Sequence, residues 1–142
     1  MNAKELRRLS TPLAPWPMYD EEQVEAVASV YRSGKVNYLR GQIGPQFERE
    51  FAEWCGTKKA VAVTNGTVAI ELILRGLGLR SGDEVITTPR TFVATASACV
   101  TNGITPILAD VDIESGNITP NSVEPLITAR TRAIMPVHLG GE

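Results

Sequence analysis

The 142-residue sequence predicts an α/β domain built on a mostly parallel sheet, and three observations carry that expectation. From Ala60 onward, short apolar runs alternate with helix-like runs in the order strand, helix, strand, helix, strand, helix, strand. That rhythm is the signature of strands joined by helical crossovers. Twelve glycines and nine prolines exclude a plain helical bundle. Apolar residues make up 43% and charged residues 21%, the balance of a soluble globular chain.

Residues 1–19 read as an irregular N-terminal segment, because Pro12, Pro15 and Pro17 forbid regular structure. Trp16 in that segment is expected to pack across another element. Asp20 predicts an N-cap with Glu21 and Glu22 in the first turn, and Val24, Val27, Ala28 and Tyr31 recur at helical spacing up to a stop at Gly34. After a glycine-bearing stretch through Gly41 and Gly44, a second helix is expected from about Pro45. Phe47, Phe51 and Trp54 share one of its faces, and Gly56 closes it. AVAVT at 60–64 reads as a short buried strand, followed by a helix from NGT through VAIELILRGLGL. Then come a strand EVITTP, a helical stretch TFVATASACVTNG ending near Gly103, and a strand TPILADV. NITPNSVEPLI predicts a capped helix interrupted at Pro125, and RAIMPV a further strand.

Charge and cysteine usage narrow the function. Lys plus Arg number 14 against 16 Asp plus Glu, so no basic face for a nucleic acid is expected. No apolar run approaches the roughly 18 residues of a membrane span, and the start has no apolar leader core. Cys55 and Cys99 lie 44 positions apart in neither metal nor redox spacing. They read as reduced, buried small apolar side chains of a cytoplasmic protein, with no metal site.

The most informative local feature is the turn Asn65-Gly66-Thr67 between an expected strand and an expected helix. The first N–H groups of a helix lack intrahelical acceptors and carry the positive end of the helix dipole. Gly66 lets a ligand approach the backbone without a Cβ in the way, and the Thr67 hydroxyl can add a hydrogen bond or cap the helix. Together they form a small anion site, most naturally for phosphate. The same three residues also make a plain turn with an N-cap. The dipole alone contributes only about 0.3–2 kcal/mol, so other groups must help hold a ligand. The pattern is neither a P-loop nor a dinucleotide fingerprint.

A set of motifs extends this reading along the chain. They are the stretch from Gly34-Lys35 to Gly44, FEREFA at 47–52, AVTNGT at 62–67, GDEVI at 82–86, TFVATA at 91–96, ADVD at 109–112 and IMPVHL at 134–139. In this order and register the sequence resembles the N-terminal part of the DegT/DnrJ/EryC1/StrS family of pyridoxal-phosphate-dependent sugar aminotransferases. The resemblance runs from Leu13 onward. It implies residues 20–142 of a fold-type-I PLP-dependent transferase large domain, an α/β/α sandwich with a mostly parallel mixed sheet, here incomplete. It also implies a homodimer and the cofactor pyridoxal 5'-phosphate in its PLP and PMP forms. On these positions, Gly66 and Thr67 would bind the cofactor phosphate, and Phe92 would stack on the pyridine ring. Such stacking contributes on the order of 0.5–1.5 kcal/mol. Asn65 would contact the phosphate or shape the turn. The Gly41–Gly44 loop resembles one bordering a sugar-nucleotide site.

Other noticeable residues receive blander readings. His138, the single histidine, lies at a strand end and is expected to pack structurally. Asp110 and Asp112 are expected to point the same way along a strand, at its exit to a loop. Glu71 and Arg75 are spaced for an i,i+4 pair on a solvated helix face.

Transamination further needs a Schiff-base lysine and a carboxylate on the pyridine nitrogen. The four lysines are Lys4, Lys35, Lys58 and Lys59. Lys58 and Lys59 precede the phosphate turn by about six residues, roughly 20 Å of strand, which no lysine side chain spans. Lys4 falls in an expected disordered start, and Lys35 has no flanking motif. The resemblance puts the catalytic lysine and aspartate beyond Glu142, so the chain is expected to be a partial product of a longer gene, inactive alone. The intact protein would pass an amino group from glutamate to a nucleotide-linked keto sugar. The alternatives are a sugar dehydratase of the same family and a non-catalytic remnant or binding module.

Overall fold

A computed structural model of the chain describes residues 16–141. The expectations for Lys4, Pro12 and Pro15 therefore lie outside the described residues. The chain divides into two units, Met1–Ala62 and Val63–Glu142.

In the first unit, helix α1 (Glu21–Ser33) starts at a complete capping box. The Asp20 carboxylate accepts from the Gln23 backbone N–H at 2.8 Å, and the Gln23 side chain accepts from the Asp20 N–H at 3.1 Å. The helix stops at Gly34, whose φ of +66° is the left-handed conformation that glycine takes without steric cost. Its apolar stripe is uncovered: Val24, Val27 and Tyr31 are all exposed. Trp16 is 92% exposed and does not pack across another described element, contrary to expectation.

Helix α2 (Ile43–Trp54) begins two residues before Pro45 and carries Phe47, Phe51 and Trp54 on one face. Their rings lie 5.7 and 5.9 Å apart in tilted pairs. Gly41 is required by close approach, since a Cβ there would sit 2.8 Å from the Asn37 carbonyl oxygen. Cys55 follows the helix and is exposed, whereas it was expected to be buried.

The expected strand at 60–64 does not form. Val61 is 75% exposed, and the Ala62 N–H donates to the Glu48 carboxylate at 2.8 Å instead of to a strand. A strand exists only where a second backbone takes its N–H and C=O groups, and no described residue does so here. Glu48 also accepts from the Tyr38 hydroxyl at 2.7 Å. These two bonds, the backbone one first, hold its carboxyl below the usual glutamate value.

The second unit holds the sheet. Helix α3 (Gly66–Gly76) leads to β1 (Glu84–Thr87), α4 (Ala94–Thr101) and β2 (Thr105–Leu108). The one-turn α5 (Pro120–Val123) continues into a 3-10 turn (Glu124–Leu126), and β3 (Thr131–Met135) follows. The break at Pro125 falls where expected, because its ring cannot continue α-helical hydrogen bonding. The strands are all parallel, in the order β2-β1-β3, with a register irregularity between Glu84 and Val85 against β3.

β1 is buried on both faces, and its alternation makes the core. Val85 packs with Leu74, Ala98, Cys99 and Ile104, beneath α3 and α4. Ile86 packs with Ala109 and Val123, beneath α5. Helices thus cover both faces of the sheet, the α/β/α layering that was expected. Full burial of one such aliphatic side chain contributes about 1.5–3 kcal/mol.

β2 ends at Leu108, three residues short of the expected Val111. Asp110 accepts from the Val111 N–H at 2.8 Å, and Asp112 accepts from the Glu114 and Ser115 N–H groups at 3.1 and 2.9 Å. These side chains offer the backbone an alternative to the ladder, so turn bonding and not strand alternation orients the two aspartates. Glu71 and Arg75 do not pair with each other. Glu71 accepts from the Thr101 hydroxyl at 3.2 Å and Arg75 Nε donates to Asn102 Oδ1 at 2.6 Å, so both tie α3 to α4. Cys99 is buried as expected, which pushes its thiol up. His138 is exposed and does not pack in the core. Among the described residues no helix is long and apolar enough to cross a membrane.

Candidate functional site

Parallel strands put all their carboxyl ends on one edge of the sheet, where ligands of open α/β sheets bind. α3 enters β1 through residues 77–83 and α4 leaves it through residues 88–93, so both helices run opposite to the strand. Their C-terminal ends are cross-linked by the Arg75–Asn102 and Glu71–Thr101 hydrogen bonds. Their N-termini therefore share the carboxyl edge. This placement brings Asn65, Gly66 and Thr67 to the same edge as Phe92.

At the N-terminus of α3, Asn65 is the cap: its Oδ1 accepts from the Val68 N–H at 3.0 Å, and its carbonyl accepts from the Ala69 N–H at 3.1 Å. The Asn65 side-chain amide leans on the Thr64 hydroxyl at 3.5 Å. With Val68 and Ala69 satisfied, the donors left over are the N–H groups of Gly66 and Thr67, which meet no acceptor among the described residues. Gly66 is open: apart from its chain neighbours and its own helix backbone, no heavy atom of the described residues lies within 4 Å of the position a Cβ would take. Two free, adjacent N–H donors at a helix N-terminus with open space in front fit the phosphate of the implied cofactor.

Phe92 is 74% exposed, which excludes a core role within the described residues and leaves a ring face available. The loop that carries it is firmly built. The Thr91 and Thr95 hydroxyls hydrogen-bond at 2.8 Å, the Thr95 N–H donates to the Phe92 carbonyl at 3.1 Å, and the Arg90 N–H donates to the Thr88 hydroxyl at 3.1 Å. Thr88 and Thr95 are buried. The exits of β2 and β3 bring Asp110, Asp112 and His138 to the same edge. Hydrogen bonds from the Ser115 backbone and hydroxyl, then from Glu114, hold the Asp112 carboxyl below its ordinary value. The Asp112 carboxylate is therefore committed to its turn. The sequence motifs do not single out Arg90. The available signal was a cation two residues before the exposed aromatic, at a strand exit. Among the described residues no three His, Cys, Asp or Glu side chains gather as metal ligands.

The model of the DegT/DnrJ/EryC1/StrS aminotransferase family matches residues 17–142. The chain belongs to this family. Among curated relatives of this family chain, the dTDP-3-amino-3,6-dideoxy-alpha-D-galactopyranose transaminase of Aneurinibacillus thermoaerophilus is 43% identical over 124 residues, 87% of this chain and 34% of that protein. Among solved family structures, an aminotransferase from Psychrobacter cryohalolentis superposes with a TM-score of 0.86 at 48% identity, covering 90% of this chain and 32% of the other. The sugar aminotransferase Spr1654 of Streptococcus pneumoniae, described as putative and solved in a PLP form and a PMP form, matches with a TM-score of 0.84 at 33% identity, covering 92% of this chain and 32% of the other. The chain spans about a third of the length of the relatives it matches.

Proposed function

We propose that residues 20–142 form the N-terminal part of the cofactor-binding large domain of a PLP-dependent aminotransferase. The whole enzyme transfers an amino group from glutamate to a nucleotide-linked keto sugar, acting as a cytoplasmic homodimer. The observation that carries the reading is the pair of free Gly66 and Thr67 N–H groups on the sheet edge that also carries the exposed Phe92. Family membership and relatives named as sugar transaminases support it.

In this reading Gly66 and Thr67 hold the cofactor phosphate through their backbone donors, and the Thr67 hydroxyl adds a third. Asn65 keeps those donors aimed by capping the helix behind them. Phe92 fixes the plane of the pyridine ring by offset stacking. Bound there, the cofactor supplies an electron sink for chemistry at the carbon bearing the amino group. The four lysines of this chain take no part in covalent cofactor attachment, so binding by this chain is reversible.

Titration of the 142-residue chain with pyridoxal phosphate, followed by absorbance and by Trp fluorescence, tests the reading. Saturable binding is expected, weakened about 2- to 13-fold in Phe92→Ala by loss of about 0.5–1.5 kcal/mol of stacking. Pyridoxal, which lacks the phosphate, should bind much more weakly. Equal affinity for the two compounds would overturn the phosphate assignment. Borohydride fixation of the cofactor on any of the four lysines would overturn the statement on attachment.

A further inference from the structure

Arg90 and Gly116 form an arrangement that the phosphate cup and the ring-stacking residue do not use. Arg90 lies on the loop leaving β1, two residues before Phe92. Gly116 closes the turn that follows β2, with a φ of +68°. The two are in van der Waals contact through the arginine head. A Cβ built on Gly116 would fall 1.6 Å from Arg90 Nη1 and 2.7 Å from Cζ. Only glycine leaves the guanidinium room in this position. The turn is itself fixed by the Asp112 carboxylate, which accepts from Glu114 and Ser115, and by the Gly116 N–H donating to the Asp112 carbonyl at 2.8 Å.

The guanidinium thus lies against the Gly116 backbone, in the space that a Cβ there would take. It carries a full charge, and Arg90 is exposed. No carboxylate within the described residues pairs with it and no acceptor takes its N–H groups. Of the two acidic residues in the turn, Asp112 spends its Oδ1 on the turn and Glu114 forms no ion pair with Arg90. Five donors in a rigid planar fork, unsatisfied by protein, match a bidentate oxyanion.

Resting on the aminotransferase reading above, we propose that Arg90, whose guanidinium has the room that Gly116 leaves it, binds an oxyanion of a reactant: a carboxylate of the amino donor or a phosphate of the nucleotide-linked sugar. Both reactants carry such a group, and the fork geometry serves either. The role is that of a binding and specificity residue at the carboxyl edge, separate from the helix N-terminus that would hold the cofactor phosphate.

The test compares the parent chain with Arg90→Gln, Arg90→Lys and Gly116→Ala in equilibrium titrations with three probes: L-glutamate, a nucleoside diphosphate, and pyridoxal phosphate. Arg90→Gln is expected to weaken one of the first two probes by 10-fold or more, and which one identifies the oxyanion as carboxylate or phosphate. Arg90→Lys should recover only part of the loss, because an ammonium cannot form the two parallel bonds. Gly116→Ala should give the same loss without removing the charge, since the new methyl displaces the guanidinium. Circular dichroism confirms that each variant is folded, and Arg90→Lys keeps the comparison valid if Gly116→Ala is not. Pyridoxal phosphate affinity should be unchanged in every folded variant. Binding of neither reactant probe by the parent chain, or binding unchanged in Arg90→Gln, would overturn the inference while pyridoxal phosphate binding leaves the cofactor reading standing. A loss confined to pyridoxal phosphate would overturn it too, moving Arg90 into the cofactor cradle. Failure of the parent chain to bind pyridoxal phosphate counts against the cofactor reading itself.

Discussion

Glu84 is the one charged side chain buried among the described residues, and its partners explain how the first residue of β1 tolerates that position. Its Oε2 accepts from the Thr128 hydroxyl at 2.5 Å, and its Oε1 accepts from Arg130 Nε at 2.8 Å and lies 2.5 Å from Arg130 Nη2. The Thr128 bond first, then the bonds and charge of Arg130, hold the carboxyl below its ordinary value of 4.5. A group lowered on folding stabilises the native state above its unfolded value. That contribution is lost as pH falls from about 4.5 through the lowered folded value. The parent chain should therefore lose melting temperature on acidification through that window. Glu84→Gln keeps the hydrogen bond from Thr128 but not the ionic pairing, so it should melt lower than the parent at pH 7 and show a flatter acid limb. Scanning calorimetry between pH 3 and 7 reads both. Parallel acid limbs for the two proteins would show that the burial of Glu84 is not linked to protonation. Arg130 is largely exposed and returns to water when its partner is removed, which keeps the loss moderate.

At the scale of elements, α3 shows how a capping residue satisfies one donor of a helix start and leaves others open. Asn65 closes the helix start through Val68, and in doing so leaves the Gly66 and Thr67 donors unspent. Asn65→Ala should cost about 0.5–2 kcal/mol of stability, read by urea denaturation. Asn65→Asp retains the cap and adds a negative charge at the helix N-terminus. It should match or exceed the parent in stability while weakening pyridoxal phosphate, because the new charge repels the phosphate that the same dipole attracts. A variant with both stability and cofactor affinity intact would disconnect Asn65 from the cup. Elements bounded by local chemistry were legible in the sequence. The Asp20 N-cap, the Gly34 stop, the capped helix within NITPNSVEPLI and the break at Pro125 depend on neighbours within four residues, and all lie where the sequence puts them. Elements decided by distant partners were not. AVAVT has the composition of a buried strand but lacks a paired backbone among the described residues. The approach of Arg90 to Gly116 joins loops 26 positions apart, and no local pattern announces it. The Asn65-Gly66-Thr67 turn was readable as a helix start because a helix N-terminus is local, whereas its company with Phe92 on one edge follows from parallel pairing.

For the whole chain, the distribution of buried side chains decides which parts unfold first. Of the ten buried apolar residues described, nine lie in the unit Val63–Glu142, and the unit Met1–Ala62 contributes Ala52 alone. α1 has no buried residue, so its capping box and internal hydrogen bonds are its visible support. A helix of 13 residues held by such local terms is marginal in water. β1, by contrast, is the strand on which both apolar clusters converge, through Val85 on one face and Ile86 on the other. Opening β1 exposes both clusters at once, so its amides can exchange only by unfolding of the sheet. Native-state hydrogen exchange of the full chain should place the Val85, Ile86 and Thr87 amides at the highest protection. The α1 amides should exchange through local opening at least 2 kcal/mol below them. Ile86→Ala should remove about 2–5 kcal/mol by opening a cavity under α5, and lower the protection of β1 by that amount. The α1 amides should be unaffected, because α1 has no buried residue whose packing such a cavity would loosen. Equal protection of α1 and β1, or a parallel fall of both in Ile86→Ala, would mean that α1 is stabilised through the sheet and that the chain unfolds as one cooperative body.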